Sequence, residues 1–375
     1  MALFRPPAGA SGAAGSPIGI LVSNLGTPEA PEARALRPYL RQFLGDPRVI
    51  ELPRWKWLPV LYLFVLATRP RRSAALYRKV WTGEGSPLLV LSRRIALALE
   101  ERLRGEVAAS LHVALGMRYG APSIAQALRE LDRHGCRRIL VLPLYPQYFA
   151  GTVGTTFDAV FRELETWRVV PELRTVSGYP EDRAYVRALA ASVREEWRRE
   201  PPAEKLLLSF HGVPQRYVDS GDPYFEHCHA TARRLAADLE LPAERCVVAF
   251  QSLFGREEWI KPYTDVTIRY LARSGVSSLD VLAPGFAADC LETLDELAEL
   301  NRGFFLAAGG RRFRYLPCLN DRDDHIAALA GLARRQLQGW VGEEEDGARA
   351  ASQAGSSRTL ARQSSGAADW SSSRE

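Results

Sequence analysis

The sequence predicts an α/β fold of two similar halves, each a parallel sheet flanked by helices, facing one another across a cleft. Two observations carry that reading. Apolar strand-like runs alternate with helical segments along the chain, the pattern of parallel strands joined by crossovers. Three blocks of the first half also recur, in the same order, in the second. ILVSNLGTP at 20–28 matches LLLSFHGVP at 206–214, HVALGMRYG at 112–120 matches VVAFQSLFG at 247–255, and GCRRILVL at 135–142 matches GVSSLDVL at 275–282. Ser23 falls on Ser209, Gly26 on Gly212, Pro28 on Pro214, and Leu25 on His211. Equivalent strand-end loops from both halves would line the cleft, where open α/β sheets bind ligands.

The elements follow in order. A strand at 18–24 ends at Gly26-Thr27-Pro28, and a helix covers 31–44. The segment 55–67, WKWLPVLYLFVLA, is shorter than the roughly 20 apolar residues that span a bilayer. Trp55 and Trp57 stand at one end, with Arg69, Arg71 and Arg72 past the other. Such flanks suit an interfacial segment or the lip of an apolar pocket, and an ordinary buried helix reads equally well. GEGSPL at 83–88 is a turn without the Gly-Lys pair of a phosphate loop. A helix at 89–103, a strand at 111–117, a helix at 123–133 and a strand at 139–144 complete the first half. The second half repeats the alternation. It has a helix at 181–199, an opening strand from 206, a helix at 224–239, a strand at 246–250, a helix at 263–273 and a strand at 279–283. A helix starts near Ala287, with a last strand at 312–316 and a last helix at 324–337. Leu25 and Arg118 are 93 residues apart, but their counterparts His211 and Leu253 are 42 apart. The first half therefore carries about 51 extra residues, which include the apolar segment.

Composition bounds the function. A chain of 375 residues, 46% apolar and 25% charged, suits one large or two medium soluble domains. The net charge of +5 does not indicate a nucleic-acid partner. Of 49 basic residues only Lys56, Lys79, Lys205 and Lys261 are lysines, the arginines are dispersed, and no RNA-binding or zinc-finger spacing occurs. Five cysteines without a CxxC fit reduced thiols in the cytoplasm. Residues 1–17 lack the apolar core of a secretory signal and read as a disordered leader, and 343–375 read as a disordered tail. The first half is assigned 18–165 with 321–342, the second 166–320.

Two constellations carry chemistry. His211 directly follows an apolar run and precedes Gly212, so it stands at the carboxyl end of a strand, where a histidine merely hydrogen-bonded to the backbone reads equally well. Read as one α-helix, residues 287–301 put Asp289, Glu292, Glu296 and Glu299, spaced 3, 4 and 3, on a single stripe. A solvated acidic face would show the same spacing. Because this helix follows a strand of the sheet that ends in His211, its first carboxylates are expected in the same cleft. An imidazole opposite a carboxylate can accept a proton or face a divalent metal. That is too few ligands for a closed structural zinc site, and a transferable metal fits better. His227-Cys228-His229 is set aside, since adjacent helical residues diverge. His112, His134 and His325 read as structural or surface residues.

SFHGVP at 209–214, FQSLFGREEWIKPYTD at 250–265 and PGFAADCLETLDEL at 284–297 resemble ferrochelatase. NLGTPE at 24–29, GSPL at 85–88, GMRYG at 116–120 and LYPQY at 144–148 fit as well, and the likeness spans about 18–338. The resemblance implies two Rossmann-like halves, a porphyrin cleft between them, and insertion of Fe²⁺ into protoporphyrin IX with loss of two protons. It implies His211 as base and metal-facing residue with Glu292 opposite, and Asp289, Glu296 and Glu299 as an acidic path. Leu25, Ser86, Tyr119, Trp259 and Phe286 would face the porphyrin, with Arg69 on the propionate side. Leu25 stands where some relatives have Met or Tyr and supplies no metal donor. Cys290 replaces the His of animal enzymes. No cysteine follows Cys318, so no [2Fe–2S] cluster and no tightly bound cofactor are expected, iron being a substrate. The apolar lip implies a cytoplasmic protein with a peripheral contact on the inner face of the membrane. A coproporphyrin III ferrochelatase shares these features, and a non-enzymatic tetrapyrrole or metal carrier is a further alternative.

Overall fold

Two parallel four-stranded sheets carry the fold. β1 (Ile18–Thr27), β2 (Leu111–Gly120), β3 (Arg138–Pro143) and β4 (Glu172–Thr175) lie in the order β2-β1-β3-β4. β5 (Lys205–His211), β6 (Cys246–Gln251), β7 (Ser278–Leu282) and β8 (Arg312–Leu316) repeat it as β6-β5-β7-β8. Every pairing is parallel. This computed structural model describes residues 4–8, 16–107, 109–253, 255 and 257–341. The duplicated sequence blocks thus fold into duplicated sheets.

Alternation along each first strand divides the core. Ile18, Ile20 and Val22 of β1 and Leu206, Leu208 and Phe210 of β5 point into one apolar core that runs through both halves. Leu21 faces a separate core on the far side of the first sheet, and Leu207 one on the far side of the second. Sheets covered on both faces need apolar residues at successive positions, which is why these strands read as continuous runs. The last helix, Asp323–Leu337, packs against Pro87–Glu106 of the first half and Arg183–Arg199 of the second.

Three expectations change. The first half does not end at 165: β4 pairs with β3, with Arg138 opposite Glu172, and Trp167 is buried in the first-half core. This edge strand is short and polar, ELRT, so it lacks the apolar signal of a strand. Part of the expected leader is ordered. The Arg5 amide donates to the Thr166 carbonyl at 2.8 Å, and its guanidinium meets buried Asp132 at 3.1 Å and lies over the Trp167 ring. Residues 9–15 and the tail from 342 lie outside the described residues. The helix expected near Ala287 begins at Leu291, and its body, Glu292–Asn301, is π-helical. The apolar segment lies within an insertion of helices Ala33–Leu44, Arg54–Val60 and Leu66–Val80, the last two joined by a π-helical turn, Leu61–Val65. The insertion has its own core, which includes Leu36, Tyr39, Trp57, Leu61 and Tyr77.

Candidate active site at the strand ends

In each sheet the chain leaves the first strand in one direction and the third in the other. A crevice therefore opens at their carboxyl ends, where doubly wound sheets bind ligands. In the second half those two ends deliver His211 from β5 and the loop to Glu292 from β7.

The carboxyl ends of both first strands explain the repeated glycine. Gly26 has φ of +109°, and a Cβ there would lie 1.8 Å from the Tyr119 carbonyl oxygen. At Gly212 a Cβ would lie 2.8 Å from the Gln251 carbonyl oxygen and 3.2 Å from the Trp259 ring. Strand pairing this close admits no side chain. It brings Trp259 beside His211, with ring centroids 6.5 Å apart.

The His211 ring is held in one tautomer. Its Nδ1 lies 2.6 Å from the Gly212 carbonyl oxygen, and a carbonyl only accepts, so Nδ1 carries the proton. In the neutral ring Nε2 is left with a free lone pair, the atom that takes a proton or a metal.

The π-helix arranges the acids differently from an α-helical stripe. Hydrogen bonding from i to i+5 widens the turn, and the buried positions Thr293, Leu297 and Asn301 recur every four residues. Glu292 and Glu296 share a face under this repeat. Glu299 falls three residues on and is exposed, so it leaves the stripe. Asp289 precedes the helix and is not part of it. It is buried and accepts from Tyr315 Oη at 2.6 Å, Asn320 Nδ2 at 2.7 Å and Thr293 Oγ1 at 3.0 Å. These bonds tie the β7 and β8 loops together, and Asp289 has a positioning role there.

Glu296 lies half-buried on the π-helix. Burial raises its pKa, and the neighbouring Glu292 charge adds to the rise, while bonds from Ser252 and the His211 charge oppose it. Ser252 donates both its amide, at 2.9 Å, and its hydroxyl, at 2.6 Å, to this carboxylate. It does so from a left-handed backbone, φ +68°, a strained conformation for a serine. Gln251, opposite His211 on β6, reaches the Glu292 carbonyl oxygen at 3.3 Å. Glu296 thus lies within reach of the charges of both His211 and Glu292.

The first half supplies the other side of the recess at Glu292, through Leu25, Tyr39, Tyr77 and Ser86. Burial and then, among other charges, that of Glu292 push the Tyr39 and Tyr77 hydroxyls above their usual range, and the Tyr39 hydroxyl donates to the Gly26 carbonyl at 3.2 Å. Burial also raises the Cys290 thiol, and the Glu292 charge adds to the rise. Lys79 pairs with Asp295 at 2.8 Å and ties the insertion to the π-helix. Ser86 is buried and accepts from the Thr27 hydroxyl at 2.8 Å. Phe286 is half-buried between two cores. Arg69, on helix Leu66–Val80, is half-buried, and burial lowers its pKa. Tyr119 differs from expectation: it is fully buried behind the wall, its ring tilted against that of Phe43 with centroids 5.2 Å apart, and it is bonded to Asp46 at 3.0 Å.

Sequence reasoning missed Tyr39, Tyr77, Gln251 and Ser252. The two tyrosines sit at core positions of amphipathic helices, where an aromatic residue reads as packing. Ser252 acts through its backbone angle, which composition does not reveal. His227 accepts from the Tyr148 amide at 3.2 Å, and His325 donates Nδ1–H to the Asn320 carbonyl at 2.7 Å, both within the fold.

Two linked Rossmann-like halves, each with a crevice at the carboxyl ends of its strands, define the class. The fold is similar to that of SirB from Bacillus subtilis, solved with Fe³⁺, with a TM-score of 0.51 at 12% identity over 88% of this chain and 98% of that one. The ferrochelatase family model matches residues 17–337. The ferrochelatase of Thioalkalivibrio sulfidiphilus (strain HL-EbGR7) is 55% identical over 87% of this chain and 89% of its own. That of Azoarcus sp. (strain BH72) is 53% identical over 86% and 88%. The chain belongs to the ferrochelatase family and is an enzyme, a lyase.

Proposed function

We propose that this enzyme inserts Fe²⁺ into protoporphyrin IX, with His211 and Glu292 as its central pair. Its family makes iron and a porphyrin the substrates. The observation that carries the mechanism is the fixed tautomer of His211, whose Nδ1–H is committed to Gly212. Two pyrrole N–H protons must leave as iron enters. Nε2 accepts one, and the Glu292–Glu296 pair gives protons a way out along the π-helix. Glu296 is suited to the second step, since burial raises its proton affinity. Cleft binding that bends the macrocycle would expose a pyrrole lone pair to the metal, with binding energy spent on distortion. No resident cofactor takes part in this scheme.

The preference for protoporphyrin over coproporphyrin III rests on the apolar insertion that borders the recess and the NLGTPE motif. Anaerobic steady-state insertion of Fe²⁺ should give a higher kcat/KM with protoporphyrin IX. A preference for the more heavily carboxylated porphyrin would reassign the substrate.

The insertion also supports peripheral attachment to the inner face of the cytoplasmic membrane. Trp55, Tyr62, Leu63 and Phe64 are exposed, 53% or more in each case. Among the described residues no helix is long and apolar enough to cross a membrane. Apolar side chains beside arginines suit the headgroup region. Replacing Leu63 and Phe64 together by serine should reduce co-sedimentation with liposomes while leaving turnover on detergent-solubilised porphyrin intact. Leu61 is fully buried and is no probe of this surface. Unchanged sedimentation would move the contact elsewhere.

A further inference from the structure

A second cavity, of about 360 Å³, opens beside the helical insertion and shares no lining residue with the recess at Glu292. Arg41, Arg54, Arg118 and Arg162 line it, with Asp46 the one carboxylate among its lining residues. Asp46 is already committed: it accepts from Arg118, from the Thr155 hydroxyl and from Tyr119 at 3.0 Å. The other three arginines have no carboxylate among the described residues. Arg54 donates Nη2 to the Gly45 carbonyl, and its Nη1 is buried without an acceptor. The guanidinium groups of Arg41 and Arg162 have neither a hydrogen bond nor an ion pair among the described residues. Nearby Arg48, by contrast, is fully paired with Asp158, one bond being 2.9 Å.

Three uncompensated like charges around one cavity repel one another, and a buried N–H without an acceptor adds to the cost. An oxyanion removes both penalties. Guanidinium forks match the paired oxygens of a phosphate group. We propose that this cavity binds a phosphate-type oxyanion through Arg41, Arg54 and Arg162. The phosphate comes either free from solution or as the headgroup of an anionic phospholipid. The second source is sterically open, because Tyr62 lines the cavity and is followed by exposed Leu63 and Phe64.

The test uses the full chain and a double variant, Arg41→Gln with Arg162→Gln. Both side chains are exposed, so neither change threatens folding. Inorganic phosphate, against chloride at matched ionic strength, should raise the thermal midpoint of the wild type in a saturable way. In the double variant the apparent affinity should fall by about tenfold or more, the loss of two charge-assisted contacts. Co-sedimentation with phosphatidylglycerol and phosphatidylcholine vesicles separates the sources. Binding to phosphatidylglycerol that phosphate displaces and the variant lacks assigns the headgroup. A saturable phosphate effect without any vesicle preference assigns the free anion. A wild type indifferent to phosphate, or a phosphate effect undiminished in the variant, overturns the site.

Discussion

Replacing His211 by alanine should lower iron insertion by at least about 10²–10⁴-fold, the usual worth of a positioned general base. Loss of a metal-facing nitrogen adds to that figure. Porphyrin affinity should change little, because a large apolar macrocycle binds mainly through buried surface, at roughly 25 cal/mol per Å². One imidazole contributes a small part of that area. The fold should survive as well. His211 ends β5 and is only partly buried, and its side chain bonds the adjacent Gly212 carbonyl, not a distant element. Steady-state insertion beside a fluorescence titration of porphyrin separates the two effects. Turnover near the wild-type value would remove His211 from the chemistry, and a matching loss of porphyrin affinity would make it a binding residue.

The second large effect is expected at Glu292. Glu292→Gln keeps the shape of the side chain but removes the charge. That charge now acts on Tyr39, Tyr77 and Glu296 together. Turnover should fall by about 10²-fold or more, with porphyrin affinity preserved. The same substitution at Glu299, which is exposed and off the Glu292–Glu296 face, is the control and should stay within about twofold, as surface changes away from such features usually do. Equal losses at Glu292 and Glu299 would restore the continuous acidic stripe that an α-helix would have presented.

That contrast shows where the sequence was readable. His211 was legible because an apolar run, a glycine and a proline fix a strand end whatever the tertiary context. The duplicated blocks led to two sheets of the same strand order for the same reason: Gly26 and Gly212 answer one packing demand at equivalent places. The acidic residues were found but misarranged. Spacings of 3 and 4 are as compatible with an α-helix as with the wider π form, and only the tertiary structure selects between them. β4 escaped because an edge strand of four residues with a polar face carries no hydrophobic period. Arg5 escaped because its partner, Asp132, is 127 residues away.

On the proposed mechanism His211 and Glu292 act as one unit in moving protons and seating iron. A double-mutant cycle on kcat for Fe²⁺ insertion into protoporphyrin IX tests it, using His211→Ala, Glu292→Gln and the combination. Residues that act together are strongly non-additive. The double variant should therefore be scarcely slower than His211→Ala alone. A double variant whose loss equals the product of the two single losses would mean that the residues act independently, and would contradict the paired site.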